Sequence, residues 1–261
     1  MGQREIRTGR EVRERLRQGA ALAGAFQRIP APGVTELCAA AGFDFVVLDM
    51  EHTPISEERV GELVRAAEAV GIPAIVRVPS RDPVGVSRVL ETGCVGIQVP
   101  LVRSAAEAEE IVRATRYAPH GTRGLASPRQ TRYGMAMSIA EWVRTSVDAV
   151  LVVVQIEDRL GVRAVGEIAA VDGVDVVFVG LTDLSADLGV PGDLAHPDVA
   201  AAVDAALAAA QAAGKTAGLP ARDASSAAQL MRRGAGYVTT DDVRCFLNGA
   251  TAFLGELRAG S

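Results

Sequence analysis

Lysine is nearly missing from this chain: of its 27 basic residues only Lys215 is lysine, and all the others are arginine. Any chemistry that needs a catalytic lysine must use that one position. Cysteine is scarce as well. The three present, Cys38, Cys94 and Cys245, are odd in number, far apart and without a Cys-x-x-Cys pair. That excludes a disulfide framework and a zinc cluster, and it suits reduced packing residues in a cytoplasm. Excess positive charge is also lacking. With 27 Lys+Arg against 32 Asp+Glu the formal charge is −5, which offers no field for nucleic acid or an anionic membrane. Although 49% of residues are hydrophobic, no apolar run nears the roughly 20 residues that a bilayer crossing needs. The opening stretch, with Arg4, Glu5, Arg7, Arg10, Glu11 and Arg13, is charged where a signal peptide would be apolar. The reading is a soluble, cytoplasmic protein.

What the sequence does contain is a rhythm. Short apolar runs at 21–26, 43–48, 73–78, 95–99, 149–156, 174–179, 216–219 and 236–239 are rich in Val and Ile and do not alternate with polar residues. That is the pattern of parallel strands covered on both faces. Helical periods fill the spaces, at 57–70, 105–117, 159–171, 197–213 and 225–233, and Gly71, Gly214 and Gly234 stand where helix C-caps belong. Strand then helix, repeated eight times, predicts a TIM (β/α)₈ barrel in one domain over 1–261. Residues 1–20 read as a charged helical extension, and 243–258 as a C-terminal helix that covers the barrel or packs on a neighbouring subunit. The connection between 99 and 149 is about twice the usual unit and predicts an extended loop over one barrel end, with a further helix near 138–145.

In such a barrel the working residues stand where strands end, so the polar group that closes each apolar run is informative. Strand two closes with Asp49-Met-Glu-His52, strand three with Arg77, strand five with Gln155-Ile-Glu157-Asp158 and strand six with Gly180-Leu-Thr-Asp183. Glu157 and Asp183 sit one βα unit apart and can converge on a Mg²⁺ or Mn²⁺ ion completed by water or substrate oxygens; alternatively each caps the helix that follows it. Arg77 can steady a carboxylate or an enolate oxygen, or form an ordinary ion pair. His52 can serve as general base beside a carboxylate; His196 reads as surface, and His120 lies on the long loop. The run from Gly180 to Gly189 opens a short helix whose free N–H groups suit a carboxylate or phosphate. Lys215, between a helix end and strand seven, belongs to the opposite end of the barrel, which excludes imine chemistry.

Gly42-Phe-Asp-Phe-Val-Val-Leu-Asp-Met-Glu-His52, Val76-Arg-Val-Pro79, Val99-Pro100, Ala114-Thr-Arg-Tyr117, Gly121-Thr-Arg-Gly124, Val154-Gln-Ile-Glu157 and Val179-Gly-x-x-Asp-Leu-Ser-Ala-Asp-Leu-Gly189 together resemble the HpcH/HpaI aldolases. These are metal-dependent class II enzymes acting on 4-hydroxy-2-oxo acids. The resemblance implies a TIM barrel, with Mg²⁺, Mn²⁺ or Co²⁺ on Glu157 and Asp183 and pyruvate chelating that ion. It implies Arg77 at the pyruvate oxygens, and His52 as acid/base through metal-bound water. It places Asp49 and Glu91 with the catalytic group, Glu91 standing where the family has an Asp paired with the catalytic His, from the same or a neighbouring subunit. Gln155, Gly180, Leu181, Thr182 and Phe26 are implied in substrate binding. A homo-oligomer, trimer or hexamer, with an exchanged C-terminal helix is implied too. Four departures bear on the substrate: Phe26 for a Trp, Leu181-Thr182 for Pro-Ala, Glu91 for Asp, and Thr239-Thr-Asp241 for small residues.

The first functional expectation is a lyase that makes or breaks a C–C bond through a pyruvate enolate. The same metal and enolate would serve an oxaloacetate-type decarboxylase or a CoA-thioester lyase, with Arg123, Arg129 and Arg132 of the long loop meeting the larger anion. A barrel that binds a 2-oxo acid without turnover is the expectation of another class.

Overall fold

The computed structural model describes residues 8–147 and 149–259. Eight strands close into a parallel barrel in sequence order, β1 (Leu22–Gln27), β2 (Phe45–Asp49), β3 (Ala74–Arg77), β4 (Gly96–Val99), β5 (Leu151–Ile156), β6 (Val176–Val179), β7 (Thr216–Pro220) and β8 (Ala235–Asp241), with β8 pairing back onto β1. Each strand falls on one of the Val- and Ile-rich runs. The helices are α1 (Gly9–Arg17), α2 (Pro32–Ala41), α3 (Glu57–Val70), α4 (Pro83–Leu90), α5 (Ala105–Thr115), α6 (Ile139–Ser146), α7 (Arg159–Ala170), α8 (Leu181–Asp187), α9 (Pro197–Ala212), α10 (Ala224–Arg232) and α11 (Asp242–Ala259).

Local chemistry sets the helix ends. Ser56 opens α3 by accepting the Arg59 N–H at 3.2 Å, and Gly71 closes it in the left-handed region, φ 74°, which a Cβ would strain. Gly214 and Gly234 follow one residue beyond the caps of α9 and α10, also at positive φ. Asp158 opens α7 through the Gly161 N–H at 2.8 Å.

Two apolar layers hold the barrel. One lies between strands and helices; the other fills the barrel interior with Leu22, Phe45, Val47, Ile75, Val153, Val176, Phe178 and Tyr237. The interior is packed by rings. Phe45 and Tyr237 stack with centroids 4.4 Å apart, and a Cβ on Gly24 would lie 2.0 Å from the Phe45 ring, so this rung requires glycine. Helix α1 plugs the end where strands begin. Its Val12 and Leu16 join the interior cluster, and Arg13 donates to Asp175 at 2.6 and 2.9 Å. The expected N-terminal extension is thus α1 and its flanks, with 1–7 outside the described residues.

The C-terminal helix exists as α11, but it does not cover the barrel of its own chain: Phe246, Leu247, Phe253, Leu254 and Leu257 are all exposed. No helix among the described residues is long and apolar enough to cross a membrane.

Candidate active site

Side chains in a strand alternate between faces, so residues two apart climb the same wall. On β5 the interior series is Val153, Gln155 and then Glu157 just past the strand; on β2 it is Val47, Asp49 and then Glu51; on β3 it is Ile75 and Arg77. The apolar floor thus gives way to charged groups at the end where strands finish. There they surround a cavity of about 570 Å³ whose lining includes Phe26, Asp49, His52, Arg77, Gln155, Gly180, Leu181, Thr182 and Asp183.

Arg77 and Asp49 are register partners on neighbouring strands and form a two-pronged pair, Nε to Oδ1 at 2.9 Å and Nη2 to Oδ2 at 2.7 Å. Asp49 also accepts the N–H groups of Glu51 at 3.1 Å and His52 at 3.3 Å, which shapes the loop that carries His52. Burial opposes a charge on Asp49, but the Arg77 hydrogen bonds and these amides outweigh it and hold the carboxyl below its ordinary range. The guanidinium lies 4.7 Å from the Phe26 ring centroid, so Phe26 is its apolar backing.

Glu51 differs. Its Oε2 is buried without a hydrogen-bond partner, although Arg77 Nη1 is within 3.2 Å. Burial, assisted by Asp49 and Asp183, outweighs the Arg77 charge already shared with Asp49 and raises the Glu51 carboxyl from 4.5 to about 7. His52 is half-exposed, with Nε2 3.7 Å from Glu51 Oε2 and 4.0 Å from Asp183 Oδ2.

Glu157 is 2% exposed. Its Oε1 accepts the Leu101 N–H at 2.7 Å, and its Oε2 accepts from the Gln155 amide. Leu101 adopts φ 55°, an unusual conformation for a branched side chain, and that turn aims its amide at the carboxylate. Gly180 leaves the other side open: a Cβ there would sit 2.5 Å from Glu157 Oε2. Burial first, then the charges of Glu51 and Asp183, raise the Glu157 carboxyl to about 7. Asp183 lies in the first turn of α8, whose N-cap Gly180 makes no side-chain cap bond, and it is about half-exposed. Neither acid therefore works as a helix cap.

Behind Glu157 runs a buried relay. Gln98 Nε2 donates to Gln155 Oε1 at 2.6 Å, and the Tyr237 hydroxyl reaches Gln98 Oε1 at 3.3 Å. Gln98 therefore fixes which end of the Gln155 amide faces Glu157. Gln98→Leu is expected to free that amide and weaken Mn²⁺ binding about 10- to 100-fold, as loss of an outer partner does. Titration of Mn²⁺ by electron paramagnetic resonance checks this; unchanged affinity would show that the relay does not act on Glu157.

Two buried carboxylates, Glu51 and Glu157, whose hold on a proton is raised by burial and by neighbouring acids beside a single shared arginine, are a donor set short of positive charge. That arrangement fits a hard divalent cation with oxygen ligands. Among the described residues no cluster of three or more His, Cys, Asp or Glu groups forms a closed cage, so substrate and water would complete the shell around Glu157 and Asp183.

A model of the HpcH/HpaI aldolase/citrate lyase family matches residues 23–240. The chain belongs to that family. Like its relatives it is a carbon–carbon lyase of the aldolase type. A hydroxypyruvate/pyruvate aldolase of Roseovarius nubinhibens is 36% identical over 85% of this chain and 86% of its own length. A 4-hydroxy-2-oxo-heptane-1,7-dioate aldolase of Shigella sonnei is 38% identical over 78% of this chain and 77% of its own. The crystal structure of an HpcH/HpaI aldolase/citrate lyase family protein from Burkholderia cenocepacia superposes with a TM-score of 0.89 at 36% identity, covering 95% of this chain and 98% of that one.

In this HpcH/HpaI chain two expected groups lie elsewhere. Glu91 caps the C-terminus of α4, at the end where strands begin, and pairs with Arg123 at 2.7 Å. It does not meet His52 within one chain; the carboxylates beside His52 are Glu51 and Asp183, and the signal for Glu51 is its place two positions after Asp49 on the same face. Two of the three long-loop arginines are likewise held away from the mouth. Arg123 is held by Glu91 and lies 4.8 Å from the Tyr117 ring, and Arg129 pairs with Glu68 at the end of α3. The loop joins the end of α5 to the start of β5, so it returns beneath the barrel. Lys215 does lie at that lower end, beside Arg13 and Asp175.

Proposed function

We propose that the chain is a divalent-metal-dependent aldolase that makes or cleaves the C3–C4 bond of a 4-hydroxy-2-oxo acid, with pyruvate as the donor half. The observation that carries this is the gathering of Asp183, Arg77 and Gln155 around one 570 Å³ mouth, with Glu157 buried beside it, hydrogen-bonded to Gln155 and its carboxyl raised by burial and by the charges of Glu51 and Asp183. Glu157 and Asp183 would hold Mg²⁺, Mn²⁺ or Co²⁺, and such an ion supplies Lewis acidity toward the 2-oxo group.

The rest falls to the chain's own groups. Arg77 lines the mouth, and its Nη1, the prong not used by Asp49 and 3.2 Å from Glu51 Oε2, can take negative charge developing on the pyruvate oxygens. Phe26 shields one side of that guanidinium from water. In the cleavage direction the C4 hydroxyl loses its proton, C4=O forms, the C3–C4 bond breaks and its electron pair becomes the enolate, which takes a proton at C3 to give pyruvate. His52, half-exposed at the mouth with Glu51 Oε2 3.7 Å from its Nε2, would hold the C4 hydroxyl proton. Leu181 and Thr182 shape the wall beside the donor carboxylate. A role for Glu91 beside His52 would fall to a second copy of the chain, and the exposed apolar stripe on α11 supports a homo-oligomer, trimer or hexamer.

The test is loss of the pyruvate methyl proton signal in D₂O. Protein stripped of metal is expected to leave pyruvate unchanged, and Mn²⁺ or Mg²⁺ to start exchange. Absence of exchange with every divalent ion would remove pyruvate as donor.

A further inference from the structure

Among the described residues three that are not glycine adopt a positive φ. Arg132 and Tyr133 belong to the long loop; the third is Leu101, at φ 55°, in the connection from β4 to α5. A Cβ makes that conformation costly, so it persists only where its surroundings hold it. Packing does not hold it, because Leu101 is 39% exposed. Hydrogen bonds on both sides of its Cα do. The Leu101 N–H donates to Glu157 Oε1 at 2.7 Å, and the Leu101 carbonyl accepts from Arg81 Nη1 at 2.7 Å. The next N–H, that of Val102, goes to the Gln155 carbonyl at 3.0 Å.

Arg81 stands on fixed backbone. It directly precedes Asp82, whose carboxylate opens α4 by accepting the Val84 and Gly85 N–H groups at 3.3 and 3.0 Å. Its guanidinium pairs with Glu107 in the first turn of α5, and Glu107 Oε2 also accepts the Arg103 N–H at 2.7 Å. Arg103 in turn pairs with Asp158, the residue after Glu157. The β4–α5 connection is therefore tied to the β3–α4 loop through Arg81 and to the end of β5 through Leu101, Val102 and Arg103. Arg81 does not line the mouth cavity, and a partly exposed ion pair such as Arg81–Glu107 contributes little to stability by itself. What sets this arginine apart is the carbonyl it holds, one residue removed from a buried carboxylate.

We propose that Arg81 is a positioning residue for Glu157: by holding the Leu101 carbonyl it keeps Leu101 left-handed and its N–H on the carboxylate, which fixes the direction in which Glu157 offers its oxygens. This rests on the reading of Glu157 as a metal ligand above. Outer groups of this kind orient a ligand without touching the ion. An effect of the Arg81 charge alone would have the opposite sign. Removing that cation, and leaving Glu107 without it, makes the surroundings more negative and would tighten the binding of a divalent ion. Releasing Leu101 loosens Glu157 and weakens it.

The experiment measures the Mn²⁺ dissociation constant of the full chain by electron paramagnetic resonance, with amide hydrogen exchange at position 101 as a second readout. Arg81→Gln removes one partly exposed pair and is expected to leave the barrel folded, to raise the Mn²⁺ Kd about tenfold and to speed exchange of the Leu101 amide by at least about tenfold. Glycine takes positive φ without the Cβ penalty, so in a Leu101→Gly background the same Arg81→Gln change is expected to raise Kd by less than about threefold. A Kd that Arg81→Gln leaves unchanged or lowers, or a tenfold loss that persists in the Leu101→Gly background, would overturn the proposal. If the native chain binds no Mn²⁺, the metal reading of Glu157 fails. Exchange at Leu101 then decides alone: faster exchange in Arg81→Gln supports the anchor, and an unchanged rate overturns it.

Discussion

Glu157→Gln is expected to lower metal-dependent exchange of the pyruvate methyl protons by more than about a hundredfold while the barrel stays folded, since even loss of an outer partner of a metal site costs up to that much. Glutamine keeps the volume, and its carbonyl oxygen can still accept the Leu101 N–H. What it removes is the charge. In the native chain burial and the neighbouring acids raise the Glu157 carboxyl from 4.5 to about 7, against the pull of Gln155 and Leu101. Between those pH values the folded, metal-free chain holds a proton that the unfolded chain has released, so stability falls as pH rises through that window. Glu51, also raised to about 7, acts in the same direction. Thermal unfolding of the metal-free protein is therefore expected at lower temperature at pH 7.5 than at pH 5.5, with a smaller difference in Glu157→Gln. Because a cation must displace that proton, Mn²⁺ affinity should fall about tenfold per unit below pH 7 in the native chain. Parallel pH–stability curves for the two proteins would contradict the raised carboxyl, and exchange retained by the variant would put the reacting centre elsewhere.

The barrel was legible because parallel strands with both faces covered must be apolar throughout. The Val and Ile runs therefore marked all eight strands, and Gly71 marked where α3 ends. The same continuity hid which residues point inward. Gln98 lies within the run 95–99 and is followed by Val99, so a search for the polar residue that ends a strand passed over it. Its signal was the polar side chain itself, which a strand core tolerates only where another polar group meets it. The long loop was placed over one end without saying which. Its position follows from a helix preceding it and a strand following it, the argument that located Lys215.

At the mouth, the strand-end rule found Asp49, His52, Arg77, Gln155, Glu157 and Asp183, which the structure gathers around one cavity or at its edge. Glu91 came from resemblance alone, with no strand end to support it, and within one chain it faces Arg123.

Arg77→Gln is expected to abolish exchange and to destabilise the protein by about 3–5 kcal/mol at neutral pH, the usual result of leaving one member of a buried ion pair alone. Asp49 is fully buried, and both its oxygens depend on the Arg77 fork. With the fork present its carboxyl lies below the ordinary 3.8, so the pair's contribution is present above that pH and is lost as pH falls through the folded value. Without the fork, burial is opposed only by the Glu51 and His52 amides, the carboxyl rises, and the sign reverses: the variant's deficit should shrink as pH is lowered from 7 to 5. Arg77→Gln/Asp49→Asn removes the orphaned charge and should recover stability without recovering exchange, since no guanidinium then faces the pyruvate oxygens. Denaturant unfolding at the two pH values separates these contributions. A double variant no more stable than Arg77→Gln would mean that the loss comes from the Phe26 and Glu51 contacts rather than from the Asp49 pair. Exchange retained by either variant would remove Arg77 from the donor site.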